Sequence, residues 1–305
     1  MLQIIDELRR QRTAGERSIR LRVLNPDHGH GYYAGERVEI DGQLYTHRPL
    51  RLWLDLAERL GLRLLTPRAV DAIHIELHFE VMASAEAWRR EGPVSERYGQ
   101  GSAFQRICKL EEPNLVADVA DALGRIDLPT NARVLGLGIN RGDEFALLCA
   151  LRPGLAQNGT FVGIDHCASA LNLARARFPA ETFTFVEADI NDLPDLDLGT
   201  FDLVIAFGTL QSPSVRDREL LRHLIKARLG SRGALLLGIP NCRYADGEQL
   251  YGARMRNYRQ PDLSLLLKDI AYYRRYLQQH RRQVYVTGKY DLILTAVPST
   301  GRGPE

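Results

Sequence analysis

Apolar and polar positions alternate strictly along "AIHIELHFEVM". Ile73, Ile75, Leu77 and Phe79 fall on one face, and His74, Glu76, His78 and Glu80 on the other. Side chains of a strand point alternately to its two faces, so this stretch predicts a strand with one dry and one wet side. Upstream, "RPLRLWLDLAERLGLRLL" repeats apolar residues at helical spacing at Leu50, Trp53, Leu54, Ala57 and Leu60, and Gly61 is placed to end the helix. "ERVEIDGQLYTHR" predicts two strands joined at Asp41-Gly42, because a two-residue hairpin turn needs positive φ. With the short, charged amphipathic helix "MLQIIDELRRQR" in front, residues 1–95 read as a smaller N-terminal α+β region.

The rhythm changes after the Gly- and Ser-bearing junction "REGPVSERYGQGSAF". Helical "PNLVADVADALGRI" completes a linker or lid over residues 96–131. From residue 132, short apolar runs alternate with longer amphipathic stretches: "ARVLGLG", "TFVGID", "TFTFVEAD", "FDLVIAFG" and "GALLLGIP". Strands buried on both faces read as continuous apolar runs, so this predicts a parallel sheet covered by helices on both sides. Helical "LSLLLKDIAYYRRYLQQH" then precedes "QVYVTG" and "YDLILTAVP", whose short link near Gly288-Lys289 permits only an antiparallel hairpin. The fold class expected over 132–298 is α/β: a Rossmann-like, mostly parallel, seven-stranded sheet closed by an antiparallel hairpin. "STGRGPE", 299–305, reads as a flexible tail.

Composition narrows the function classes. The apolar and charged fractions, 45% and 26%, are those of a soluble globular chain, and a net charge of +2 argues against a polycation that coats nucleic acid. Cys108, Cys149, Cys167 and Cys242 are widely spaced, which suits reduced thiols and argues against a disulfide scaffold. With no signal-like start and no apolar run of membrane-spanning length, a soluble, cytoplasmic protein without membrane attachment is expected.

The chemistry concentrates at strand ends. Gly136, Gly138 and Gly142 give G-x-G-x-x-x-G after the first sheet strand, where a glycine turn lets backbone N–H groups approach a ligand. The next strand ends in Asp165, placed to accept the hydroxyls of a ribose, and the third ends in Asp189, placed to meet an adenine amino group. Asp143-Glu144 would repel a pyrophosphate seated on the same helix terminus, whereas a cationic sulfonium suffers no such clash.

Over Ala132–Pro298 this pattern resembles the class I S-adenosylmethionine-dependent methyltransferases. By position, the resemblance implies that Gly136, Gly138, Asn140 and Gly142 wrap the methionine part of S-adenosyl-L-methionine. It makes Asp165 the ribose acid, with His166 and Cys167 on the adenine side. Asp189 and Ile190 become the adenine pair, and Ala206, Phe207 and onward to Thr209 the pocket floor. Two positions depart from the family: Gly136 stands where an acid is usual, and Asn140 where a glycine is usual. The acid's task, holding the cofactor's ammonium, then falls to Asp143, Glu144 or a residue of 98–106.

The methyl acceptor is less legible. The "N-P-P-Y"-like signature that family members use on exocyclic base amines is replaced by "AFGTLQS", which favours an O or N of a small or medium-sized molecule. Tyr98, Arg106, Asn241, Arg243 and Tyr244 are the candidate substrate residues. The segment 243–289 holds ten Arg or Lys against four acids, and seven of the twelve tyrosines. It could grip RNA through phosphates and stacked bases, or be a solvated helix face with half-buried tyrosines. A third alternative is a non-catalytic binding module that keeps the fold. The histidines of "DHGHG" and of the His74 strand could approach a zinc ion; a wet sheet face explains them equally, and no metal is assigned.

Overall fold

A computed structural model describes residues 1–83, 96, 98–252 and 263–299. The tail from 300, most of the junction's first half and residues 253–262 of the Arg/Tyr segment lie outside the described residues. Two compact units emerge: 1–85 with 244–250, and 86–243 with 251–305.

The first unit runs α1 (Leu2–Thr13), β1 (Ser18–Leu24), β2 (Arg37–Ile40), β3 (Gln43–Thr46), α2 (Leu50–Leu60), β4 (Leu62–Leu64), β5 (Arg68–Ala69) and β6 (His74–Val81). β6 pairs antiparallel with β1, β4 and β5. Its alternation is as expected: Ile75, Leu77 and Phe79 are buried with Leu8 of α1 and Trp53 of α2. Burying each such side chain contributes about 2–3 kcal/mol, so this cluster holds the unit together. The stripe on α2 is rotated from the expected one. Leu56 is inside while Leu50 and Leu54 are exposed, because the sheet meets the helix along the Trp53–Leu56–Ala57–Leu60 side. Gly61 ends α2 in the left-handed region, φ 67°, and Asp41-Gly42 turns β2 into β3 with φ 50° and 75°.

The wet face of β6 is a ladder of paired charges. His78 meets Ser18 at 2.7 Å, Arg63 meets Glu80 at 2.9 Å, His74 meets Asp71 at 3.0 Å, and Arg22 also reaches Asp71. Among the described residues no three His, Cys, Asp or Glu side chains are grouped to hold a metal ion.

The second unit runs α3 (Pro113–Gly124), β7 (Arg133–Leu137), α4 (Asp143–Leu151), α5 (Pro153–Asn158), β8 (Thr160–Asp165), α6 (Ala168–Arg177), β9 (Phe183–Glu187), β10 (Phe201–Phe207), α7 (Asp217–His223) and β11 (Leu229–Pro240). A hairpin, β12 (Cys242–Ala245) and β13 (Glu248–Tyr251), precedes α8 (Ser264–Gln279), β14 (Arg282–Gly288) and β15 (Asp291–Pro298). Seven strands form one sheet in the order β14-β15-β11-β10-β7-β8-β9. β15 runs antiparallel to both of its neighbours, and the β7–β11 pairings are parallel. One apolar cluster lies on each face: Leu135, Leu137, Leu235 and Leu237 on one, and Val134, Phe145, Phe161 and Leu236 on the other. The apolar runs are explained by this double covering. The chain steps outward from β7 to β9 and returns to β10, so strand order reverses between β7 and β10; a crevice opens at the carboxyl ends of such a switch point.

The β12–β13 hairpin was not anticipated. Its turn is Asp246-Gly247, with φ 49° and 82°, the same signal that marked Asp41-Gly42. Its tip groups with the first unit, where Asp246 accepts from Arg63 through its carbonyl (3.2 Å) and from the Ala83 N–H through its carboxylate (3.3 Å). No helix among the described residues is long and apolar enough to cross a membrane.

Candidate functional site

The carboxyl edge of β7 turns sharply. Gly138 (φ 64°), Asn140 (φ 48°) and Gly142 (φ 82°) all occupy the left-handed region, which strongly favours glycine and is tolerated best otherwise by asparagine. Protein atoms crowd the glycines. A Cβ on Gly138 would stand 2.5 Å from Thr209 Oγ1, and that hydroxyl, buried, donates to the carbonyls of Leu137 and Phe207. A Cβ on Gly136 would lie 2.6 Å from Ile139 Cδ1 and 2.9 Å from the Phe145 ring. The place of the family's acid is therefore filled by two apolar side chains.

Asp165 ends β8 with 6% of its surface exposed. One carboxylate oxygen accepts the Asn140 N–H at 2.8 Å and the other the Cys167 N–H at 2.9 Å. Each oxygen has two lone pairs, so one on each remains for a ligand. His166 is exposed, its Nδ1 3.7 Å from the carboxylate, beyond hydrogen-bond range. Asp189 caps the short helix Ile190–Asp195 by accepting the Asn191 N–H at 2.8 Å and is exposed. Ile190 and Ala206 are buried in the core beneath this edge, and Phe207 packs half-buried on the other face.

The segment 98–107 is strapped to the glycine loop by bonds that sequence reasoning missed. Asn140 Nδ2 donates to the Tyr98 carbonyl at 2.8 Å and Gln105 Nε2 to Asn140 Oδ1 at 2.6 Å. Arg141 donates to the carbonyls of Gln105 and Ile107, both at 2.7 Å. Further along, the Gln100 N–H meets Ser169 at the start of α6 at 2.9 Å. Tyr98 stands edge-on to Phe104, and Arg106 is exposed. An arginine inside a glycine loop was the one available signal, and it carries no unique meaning.

Acids are distributed unequally. Asp143 is claimed by Arg141 (3.0 Å) and Arg177 (2.5 Å). Glu144, in the same first turn, has no side-chain partner among the described residues. Glu144 is half-buried. Burial first, then the neighbouring charges of Asp143 and Asp165, push its carboxyl up to about 8, against the pull of Lys109.

The candidate acceptor residues diverge. Asn241, 2% exposed, follows β11; its Nδ2 donates to the Lys289 carbonyl at 3.0 Å while its Oδ1 has no hydrogen-bond partner among the described residues. Arg243 donates to the carbonyls of Tyr251 and Gly252, tying the base of the hairpin. Tyr244 belongs with the first unit. The tyrosines of α8 are engaged inside the fold. Tyr273 is buried and donates to Asp217 at 2.7 Å, Tyr272 stacks on Tyr276, and Arg218 lies over Tyr272.

Residues 134–229 match the family model of a methyltransferase domain. That match spans about a third of the chain and takes in the parallel strands β7 to β10, whose seven-stranded sheet has the Rossmann-like order closed by an antiparallel strand pair. S-adenosyl-L-methionine is the cofactor that a methyltransferase domain of this fold implies. Similar solved structures include an O-methyltransferase family protein from Burkholderia thailandensis (17% identity, 65% of this chain and 59% of that one, TM-score 0.45). Others are the putative methyltransferase bound to the Trm112 activator of Haloferax volcanii (14%, 62% and 92%, 0.44) and the magnesium protoporphyrin IX methyltransferase of Synechocystis PCC 6803 with bound SAH (18%, 67% and 92%, 0.41). The chain thus spans less than two thirds of the length of the first of these. No curated protein matches the chain.

Proposed function

We propose that the second unit binds S-adenosyl-L-methionine along the carboxyl edge of β7, β8 and β10 and methylates an oxygen or nitrogen of a small or medium-sized acceptor. The observation that carries this reading is Asp165: a buried carboxylate, fixed by two backbone N–H groups beside the glycine loop, with one lone pair free on each oxygen. That arrangement suits the two hydroxyls of a ribose. The donor set also suits the cofactor's charge, since Glu144 and Asp165 have no cation hydrogen-bonded to them among the described residues. Asp189 keeps its second oxygen for an adenine amino group, and Gly136, Gly138 and Gly142 hold the loop shape.

When bound, the cofactor supplies a methyl group on a positively charged sulfur. The protein's part is to hold the acceptor in line with it and keep water out. Asn241 Oδ1, buried without a partner, would be satisfied by an O–H or N–H of the acceptor, which favours oxygen or nitrogen as the methylated atom. The engagement of Tyr272, Tyr273 and Tyr276 within the fold favours a small acceptor over RNA. Calorimetric titration of the whole chain with S-adenosyl-L-methionine tests the reading. Saturable binding is expected, and no heat up to millimolar ligand would end it.

A further inference from the structure

Gly136 removes the acid that other methyltransferases of this class place at the end of the first strand, and Ile139 and Phe145 close over the position it would fill. A ligand bearing an ammonium and a sulfonium still needs a counter-charge. Residues 98–106 contain no acid. Asp143 is neutralised by Arg141 and Arg177, and the free lone pairs of Asp165 go to the ribose in the site proposed above. Glu96 accepts from Ser169 and Cys167, so among the described acids of this edge Glu144 is left, one residue from Asp143 in the first turn of α4 and partly open. We propose that Glu144 is this chain's counter-charge for the cationic cofactor, doing the work of the acid absent at Gly136. The inference rests on the cofactor site proposed above.

Among the described residues the charged groups that act on Glu144 are Asp143 on its own helix, Asp165 at the end of β8, and Lys109 in the short turn before α3, which is also paired with Asp291 at 3.4 Å. Burial first, and then the two acids against one shared lysine, keep the carboxyl protonated at neutral pH in the free protein. A cationic ligand reverses that balance, so binding drives the Glu144 proton into solvent as a carboxylate–ammonium pair forms. The device has a consequence that an acid at Gly136, ionised beforehand, would lack: cofactor affinity is linked to pH.

The test titrates S-adenosyl-L-methionine calorimetrically into the whole chain at pH 6.5, 7.5 and 8.5, in two buffers of different protonation enthalpy. The wild type, Glu144→Gln and Glu144→Asp are compared, each checked for folding by circular dichroism. The wild type should bind about fivefold more tightly at pH 7.5 than at 6.5 and gain nothing further at 8.5, where the ligand's own amine loses its proton, and it should release most of one proton near neutrality. Glu144→Gln should bind at least about tenfold more weakly at pH 8.5 and keep only the pH slope of the ligand's own amine. Glu144→Asp should recover part of both. If the wild type binds and Glu144→Gln matches it in affinity and proton release, Glu144 is not the counter-charge, while the cofactor site stands. If the wild type binds nothing at any pH, both readings fall together.

Discussion

Two regions of this chain carry dense charge and use it in opposite ways. On the wet face of the first unit, each acid of the β1–β6 ladder meets a cation or histidine: Glu76 with Arg20, Glu80 with Arg63, Asp71 with Arg22 and His74. At the carboxyl edge of the second unit, Asp165 is pinned by backbone N–H groups and Glu144 has no cation within hydrogen-bond reach among the described residues. Balanced charge at a surface describes solvation, because an exposed pair is worth little in either direction. An acid half-buried beside a glycine turn without a cation is costly to ionise unless something arrives to complete it. A histidine- and acid-rich strand is thus the less informative of the two, although it is the more conspicuous in sequence.

The largest effect expected from breaking this contrast is at Asp165. Asp165→Ala should weaken S-adenosyl-L-methionine binding about 100-fold, near 2.7 kcal/mol, through loss of charge-assisted bonds to the ribose. Calorimetry reads it directly. Wild-type affinity in the variant would mean that the acid serves only to shape the loop.

Glu144 offers the next largest effect, without any ligand. Its folded-state carboxyl is pushed up to about 8 against an ordinary 4.5, so the folded protein holds a proton that the unfolded chain releases. Stability from this group is full below pH 4.5 and declines as pH rises to about 8. Glu144→Gln should therefore be more stable than wild type at pH 8 by about 2–3 kcal/mol, less than the full shift because the side chain keeps some solvent. The gap should close toward pH 5 in urea titrations at each pH. A difference independent of pH would assign the change to packing instead.

Much of the fold was legible because each signal was local. Double-sided burial wrote β7, β8, β10 and β11 as apolar runs, period-two alternation wrote β6, and positive φ wrote Asp41-Gly42. The glycine loop and Asp165 were legible because geometry restricts both positions to few residue types. What escaped is what depends on partners distant in sequence. Nothing local announces that Arg141 reaches Gln105 and Ile107, that Ile139 and Phe145 fill the space at Gly136, or that Arg177 rather than a ligand claims Asp143. The hairpin turn at Asp246-Gly247 carries the same local signal as Asp41-Gly42, but its strands are only four residues each and lie among arginines and tyrosines with no apolar alternation to mark them. Those tyrosines looked like a stacking surface. Their ring order on α8 instead follows helical spacing, and Tyr272, Tyr273 and Tyr276 pack against the sheet core.

Tyr273 sharpens that last point. Its hydroxyl is buried and donates to Asp217, an acid in the first turn of α7. Tyr273→Phe would leave the ring's packing intact and remove one charge-assisted bond, at a cost of about 1–2 kcal/mol in urea unfolding. Cofactor affinity should stay unchanged, because the contact joins α7 and α8 on one face of the sheet. An equal loss of affinity would place α8 in the binding surface and revive the role of this segment as a recognition element.

The smallest effect belongs to the ladder. Arg20 reaches Glu76 at 3.7 Å with 63% of its side chain exposed, so solvent already screens both charges. Arg20→Ala should shift stability by less than about 0.5 kcal/mol, and added salt should leave that difference almost unchanged. The value of the measurement is as a control on charge itself. If removing one exposed arginine proved as costly as altering Glu144, charge density alone, and not the absence of a compensating partner, would govern both regions. A near-zero result at Arg20 beside a pH-dependent gain at Glu144 would instead attach the difference to compensation, and with it the assignment of the carboxyl edge as the working surface.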